Sequence, residues 1–139
     1  MSHAIRVEPA PDDGVRDAIV AILAAHNDAA AGPTERRTLA LSVRDGAGAI
    51  CGGLWGTAAY RWLFVQYLAV AHELRGTGVG SGLLAQAEAW AREADCIGMW
   101  LDTFSFQARG FYERHGFSAF GEIPDFPPGH ARFFLAKRF

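Results

Sequence analysis

Between Arg75 and Ser81 the chain reads Arg-Gly-Thr-Gly-Val-Gly-Ser, with a glycine at every second position from Gly76 to Gly80. Glycine carries no Cβ, so a backbone built this way can approach a ligand closely. An apolar run, Trp62 to Val70, leads into the stretch, and a run with helical periodicity leaves it, carried by Leu83, Leu84, Ala87, Trp90, Ala91 and Ala94. A glycine turn that opens a helix points the unpaired N–H groups of the first turn at whatever is bound, and the helix dipole favours an anion there. The chemistry implied is phosphate binding. Two nucleotide signatures fail on the residues they most need. A dinucleotide fingerprint requires glycine where Ser81 or Leu83 stands, and a Walker loop requires a lysine that this stretch lacks.

The elements that must hold this turn can be read along the chain. Ala4 to Glu8 alternates like a short edge strand, and Asp12 or Asp13 can cap a helix whose apolar face is Val15, Ile19, Ile22 and Leu23, ending near His26. Ala29 to Glu35 reads equally as a loop or a second short helix. From Thr38 the period becomes two, and Asp45-Gly46-Ala47-Gly48 is a hairpin turn into a strand from Ala49 to Tyr60. Leu63 to Val70 adds a third strand before the glycine turn, and a helix from Gly80 to Ala94 is followed by a strand from Ile97 to Leu101. Strand, crossover helix and strand make a βαβ unit with its two strands parallel. Ser105 can cap a helix from Phe106 to His115, and strands follow at Phe117 to Ile123 and Ala131 to Phe139. The expected fold is a single domain over residues 1–139, of mixed α/β class, with about seven strands and one parallel crossover.

Two stretches resemble one family. Arg75-x-x-Gly78-x-Gly80, following Tyr67-Leu68-Ala69-Val70, resembles the Arg/Gln-x-x-Gly-x-Gly/Ala signature of the GCN5-related N-acetyltransferase (GNAT) superfamily. Ala108 to Phe117 resembles that family's A-x-x-F-Y-E-x-x-G-F helix and following strand. The resemblance implies acetyl-CoA as cofactor, held between splayed fourth and fifth strands. It implies that Arg75, Gly76, Thr77, Gly78, Val79, Gly80 and Ser81 cradle the diphosphate, and that Leu68, Ala69 and Val70 bind the pantetheine arm through the main chain. A backbone N–H near Leu68 would polarise the thioester carbonyl. Ser105, Ala108 and Phe111 complete the implied cofactor contacts, and Tyr112 corresponds to the tyrosine that protonates the departing thiolate. Ser105 stands where the family often has asparagine, and Gly110 interrupts the helix.

Acetyl transfer to an amine also needs a proton acceptor, because an alkylammonium is almost wholly protonated at pH 7. The strand that often carries a glutamate in this family has Gln66, which cannot act as a base but can orient a water. Asp102, at the end of the fifth strand, is the first choice of base, ahead of Glu73, Glu122, Asp125 and His130. Trp55, Tyr60, Phe104 and Phe126 are candidates for an acceptor pocket suited to an apolar or cationic amine. The loop Pro124 to Gly129 is a candidate to close that pocket or to form a homodimer contact.

With 139 residues, half of them hydrophobic, and a net charge of −2, the chain has no cationic bias toward nucleic acid or an anionic membrane. Met1 to Val7 has no apolar signal core, and no run approaches a membrane span. Cys51 and Cys96 form no metal pattern and read as small buried hydrophobes in a reducing, cytoplasmic setting. The expectation is an acetyl-CoA-dependent N-acetyltransferase that transfers to a primary amine of a small molecule by direct attack in a ternary complex, with no metal. Acetylation of a protein or peptide amine, and a non-catalytic acyl-CoA-binding domain, are the competing readings.

Overall fold

The structure, a computed structural model, describes residues 2–139 and divides into two compact units, Met1–Thr34 and Glu35–Phe139. The first unit contains α1, Asp13–Ala31. Asp12 caps it, its Oδ1 accepting the Val15 N–H at 3.0 Å. The helix continues past His26 through the alanine-rich segment Ala29–Ala31, good helix formers, and stops at Gly32, whose φ of 82° the following proline cannot extend. Ala4–Glu8 forms no strand. Ile5 and Val7 are exposed, so alternation alone did not secure a ladder there.

The second unit is a six-stranded sheet rather than the seven expected. Its strands are β1 (Arg37–Arg44), β2 (Ile50–Ala59), β3 (Trp62–Val70), β4 (Gly98–Phe104), β5 (Ser118–Pro124) and β6 (Ala131–Arg138), in spatial order β1-β2-β3-β4-β6-β5. Only β3 and β4 pair in parallel, joined by α2 (Val79–Glu93) as the crossover. The β1–β2 hairpin closes on Asp45, whose Oδ1 accepts the N–H groups of Ala47 and Ala49, with Gly48 at φ 84°. Tyr60 and Arg61, both at positive φ, form the tight turn into β3, and Arg61 is held by a 3.0 Å bond from Nε to the Asp95 carbonyl.

α2 lays Leu83, Leu84, Ala87 and Ala91 on one face of the sheet, over Leu54, Leu63, Val65, Met99, Leu101 and Leu135. Cys96 joins this core, and Cys51 is half-buried; both are free thiols. At the closed end of the β3–β4 pair, Trp62 lies over Gly98, and a Cβ on Gly98 would run into the indole and stand 2.8 Å from the Lys137 carbonyl oxygen. Gly98→Ala is expected to destabilise the fold by about 1–3 kcal/mol, read as a lowered midpoint in urea with an unchanged slope.

Candidate active site

The site begins with a fault in the ladder. On β2, Trp55 faces Tyr67 and the next residue, Gly56, faces Val65, so Gln66 is one residue too many on β3. β3 and β4 pair only over Trp62–Val65 and Gly98–Leu101, and their separation starts at the bulge. Beyond it the segment Tyr67–Val70 pairs with β2 alone, and Asp102–Phe104 pairs with β6 alone. Each strand therefore turns an unladdered edge toward the other, and buried backbone groups left this way call for a partner. Leu68, Ala69 and Val70 occupy the β3 edge of this opening.

The glycine turn stands at the end of that edge. Gly76 and Gly78 have φ of 75° and 88°, which favours glycine, and no heavy atom lies within 4 Å of where their Cβ atoms would be. Gly80 is needed for another reason, since a Cβ there would lie 3.2 Å from the Phe111 ring. The N–H groups of Arg75, Thr77 and Gly82 bond to His72, Leu74 and Gly78 carbonyls. Those of Gly76, Gly78, Val79, Gly80 and Ser81 find no acceptor among the described residues. They converge at the N-terminus of a 15-residue helix. That is an anion cradle in geometry as well as in composition, and a coenzyme A diphosphate fits its donor set. Arg75 is exposed beside it.

α3 is short, Arg109–Arg114, and Ser105 does not cap it; Ala108 occupies the N-cap position. Two residues before α3 serve strand ends instead, Gln107 that of β4 and Ser105 that of β6. Gln107 Oε1 accepts the Phe104 N–H at 2.8 Å and the Thr103 hydroxyl at 3.1 Å, and Ser105 Oγ accepts the Ala131 N–H at 3.1 Å. Gln107 went unnoticed in the sequence because a side chain that ends a strand leaves no spacing signal. α3 nonetheless places Tyr112 inward, 9% exposed, packed edge-on against Phe111 and Phe117. Burial, with a smaller contribution from the Asp102 charge, holds its phenol above the ordinary value of 10.0, so the group stays protonated.

Asp102 is half-buried, and both of its guanidinium contacts, from Arg132 Nε at 2.9 Å and Nη2 at 2.7 Å, fall on Oδ1. Arg132, which the sequence did not single out, sits 30 residues away on β6 and is framed by the rings of Phe104, Phe126 and Phe134. Phe104 stacks on Phe106 and meets Phe126 at 5.4 Å. Phe126 is set by a loop closed through the Phe126 N–H to His130 carbonyl bond. On the β3 side, Gln66 Nε2 donates to the Tyr67 hydroxyl at 3.3 Å, and Trp55 is the cross-strand neighbour of Tyr67. The structure thus brings Asp102, Phe104 and Phe126 together on Arg132, and Gln66 and Trp55 together on Tyr67, while Tyr112 stands near enough to Asp102 to feel its charge. Tyr60 lies at the other end of β3, in the β2–β3 turn.

Comparison with known proteins gives the family. The model of the acetyltransferase (GNAT) family matches residues 8–117, a stretch that runs through both compact units. The chain belongs to the GNAT family. A blasticidin-S acetyltransferase of Streptomyces morookaense is 47% identical over 91 residues, 65% of this chain and 67% of that one. The crystal structure of an acetyltransferase from Agrobacterium tumefaciens superposes with a TM-score of 0.92 at 35% identity, covering 99% of this chain and 100% of its own. A streptothricin acetyltransferase from Bacillus anthracis, solved with acetyl coenzyme A, superposes with a TM-score of 0.60 at 25% identity over 66% of this chain and 57% of that one. As a GNAT enzyme the protein is an N-acetyltransferase, and acetyl-CoA is its acyl donor. Among the described residues no cluster of side chains could hold a metal, and no helix is long and apolar enough to cross a membrane.

Gly78→Val puts a β-branched side chain at φ 88° in the cradle. Coenzyme A affinity measured by calorimetry is expected to fall by about tenfold or more, while the urea midpoint moves little.

Proposed function

We propose that this GNAT enzyme acts as a single domain that acetylates a primary amine of a small molecule, by direct attack with donor and acceptor bound together. The observation that carries this reading is the opening where β3 and β4 part after Val65 and Leu101; it is supported by the buried phenol of Tyr112, which feels the Asp102 charge, and by the aromatic rings around Arg132, the partner of Asp102. The cradle from Arg75 to Ser81 holds the diphosphate of the donor, with Leu68, Ala69, Val70, Ser105, Ala108 and Phe111 along its length. When bound, acetyl-CoA supplies an activated acyl thioester whose sulfur leaves as a thiolate. Tyr112 holds a proton at its hydroxyl oxygen for that sulfur, and burial keeps the proton there at physiological pH.

The acceptor enters beside Asp102, whose charge draws an ammonium toward the opening. Asp102 takes up the amine proton directly or through a water that the Gln66 amide orients. Arg132 holds the carboxylate by one oxygen and so fixes its direction. Phe104 and Phe126 supply apolar walls, and Trp55 adds an exposed ring on β2 beside Tyr67. The small-molecule reading gains support from the relative named for its action on blasticidin S. A homodimer is consistent with α1, where Ile19, Ile22 and Leu23 are each more than half exposed and form an apolar stripe that a second copy could cover.

Tyr112→Phe is expected to lower kcat by about 100-fold with coenzyme A affinity unchanged, in an assay of thiol release over a panel of amines. In the wild-type enzyme the phenol's raised value keeps the acid protonated as pH rises. Loss of rate from its ionisation therefore begins only above about pH 10. An unchanged kcat in Tyr112→Phe would remove it from the mechanism. Asp102→Asn is expected to lower kcat/KM by about 10–100-fold. An unchanged kcat/KM would pass the role of base to another group.

A further inference from the structure

Ser81 Oγ lies 2.9 Å from Nε2 of His115, a pair joined across 34 residues of chain. Ser81 stands in the first turn of α2, its own N–H among the unpaired donors of the cradle. His115 ends α3 and packs its ring 4.8 Å from that of Phe111, the side chain that limits Gly80. Both residues are half-buried. Next to the pair is a depression of about 380 Å³, bounded by Glu88 on α2 and Lys137 on β6. These two charges bond to each other at 2.6 Å, and Lys137 holds the Glu88 carboxyl below the usual carboxylate range. On α3, Glu113 is paired with Arg109, and Arg114 is exposed. His72, before the turn, is exposed and gives the cradle only its carbonyl oxygen.

We propose that His115 is a positioning residue for the cofactor diphosphate, acting through the Ser81 hydroxyl and controlled by its own proton. The inference rests on the cradle assignment made above. A serine hydroxyl has one proton to give. When Nε2 is unprotonated it accepts that proton, and Ser81 presents only lone pairs toward an anion. Nε2–H, present in one neutral tautomer and in the protonated ring, donates to Oγ instead and frees the hydroxyl proton for the diphosphate, and the protonated ring adds a positive charge one hydrogen bond behind it. Both changes favour the anion. The added charge makes binding take up a proton, and affinity falls as pH rises.

The test is calorimetric binding of dephospho-coenzyme A between pH 5.5 and 8.5. That probe keeps the diphosphate and lacks the 3′-phosphate, which would titrate in the same range. Wild-type affinity is expected to fall about five- to tenfold across the range, and His115→Gln and Ser81→Ala are both expected to be flat. Binding of the same probe to wild-type protein at neutral pH, in two buffers of different ionisation enthalpy, is expected to show proton uptake. This second measurement does not depend on any variant folding. Equal slopes in wild type and His115→Gln, or absence of proton uptake, would overturn the proposal and leave the cradle standing. Absence of binding at every pH would overturn both.

Discussion

One surplus residue in β3 decides what this sheet can do. A parallel pair can continue only while both strands keep the same rise and direction, and Gln66 breaks that condition one position after Val65 pairs with Leu101. The strands part, and two lengths of backbone that would have satisfied each other are left facing an opening. The closed half of the pair is locked by Trp62 over Gly98 and by the Phe64–Trp100 stack at 4.1 Å, so the separation has a fixed pivot. The remaining features of the site are arranged along the two edges that this pivot spreads.

At one end of the opening is a fixed positive potential made without side-chain charge. Five amides in and before the first turn of α2 have no backbone acceptor among the described residues, and positive-φ glycines make the turn possible without strain. Such a site needs no rearrangement of long side chains to receive an anion, which lowers the entropic cost of binding. Further along, the surroundings change from wet and cationic to apolar. Tyr112, buried between Phe111 and Phe117, is held in its acid form by the same desolvation that makes a bare phenolate costly there.

The recess around Asp102 joins charge and aromatic surface. Arg132 neutralises the carboxylate and is stacked among three phenyl rings, which removes much of the freedom both groups would have in water. A carboxylate held this way attracts an incoming ammonium less strongly than a free one. It offers a fixed direction instead, which matters when the reacting amine must meet the donor at one angle.

Part of this was present in residue order alone. The glycine spacing from Gly76 to Gly80, the apolar run before it and the helical period after it establish strand, anion turn and helix, because close approach and helix entry are local properties of the backbone. The Ala108–Phe117 stretch marks Tyr112 in the same way. Local rules also misplace some elements: Ala4–Glu8 alternates yet forms no ladder, and Ser105 has a capping side chain yet serves β6. Strand pairing and strand ends depend on partners elsewhere in the chain. What the tertiary structure decided is of that kind. The bulge at Gln66 exists only as a mismatch between β2 and β3. Arg132 reaches Asp102 only because β6 inserts beside β4, and His115 meets Ser81 only where two helix ends converge. Contacts between residues thirty or more positions apart have no period to reveal them, and here they orient the groups whose identity the sequence had already supplied.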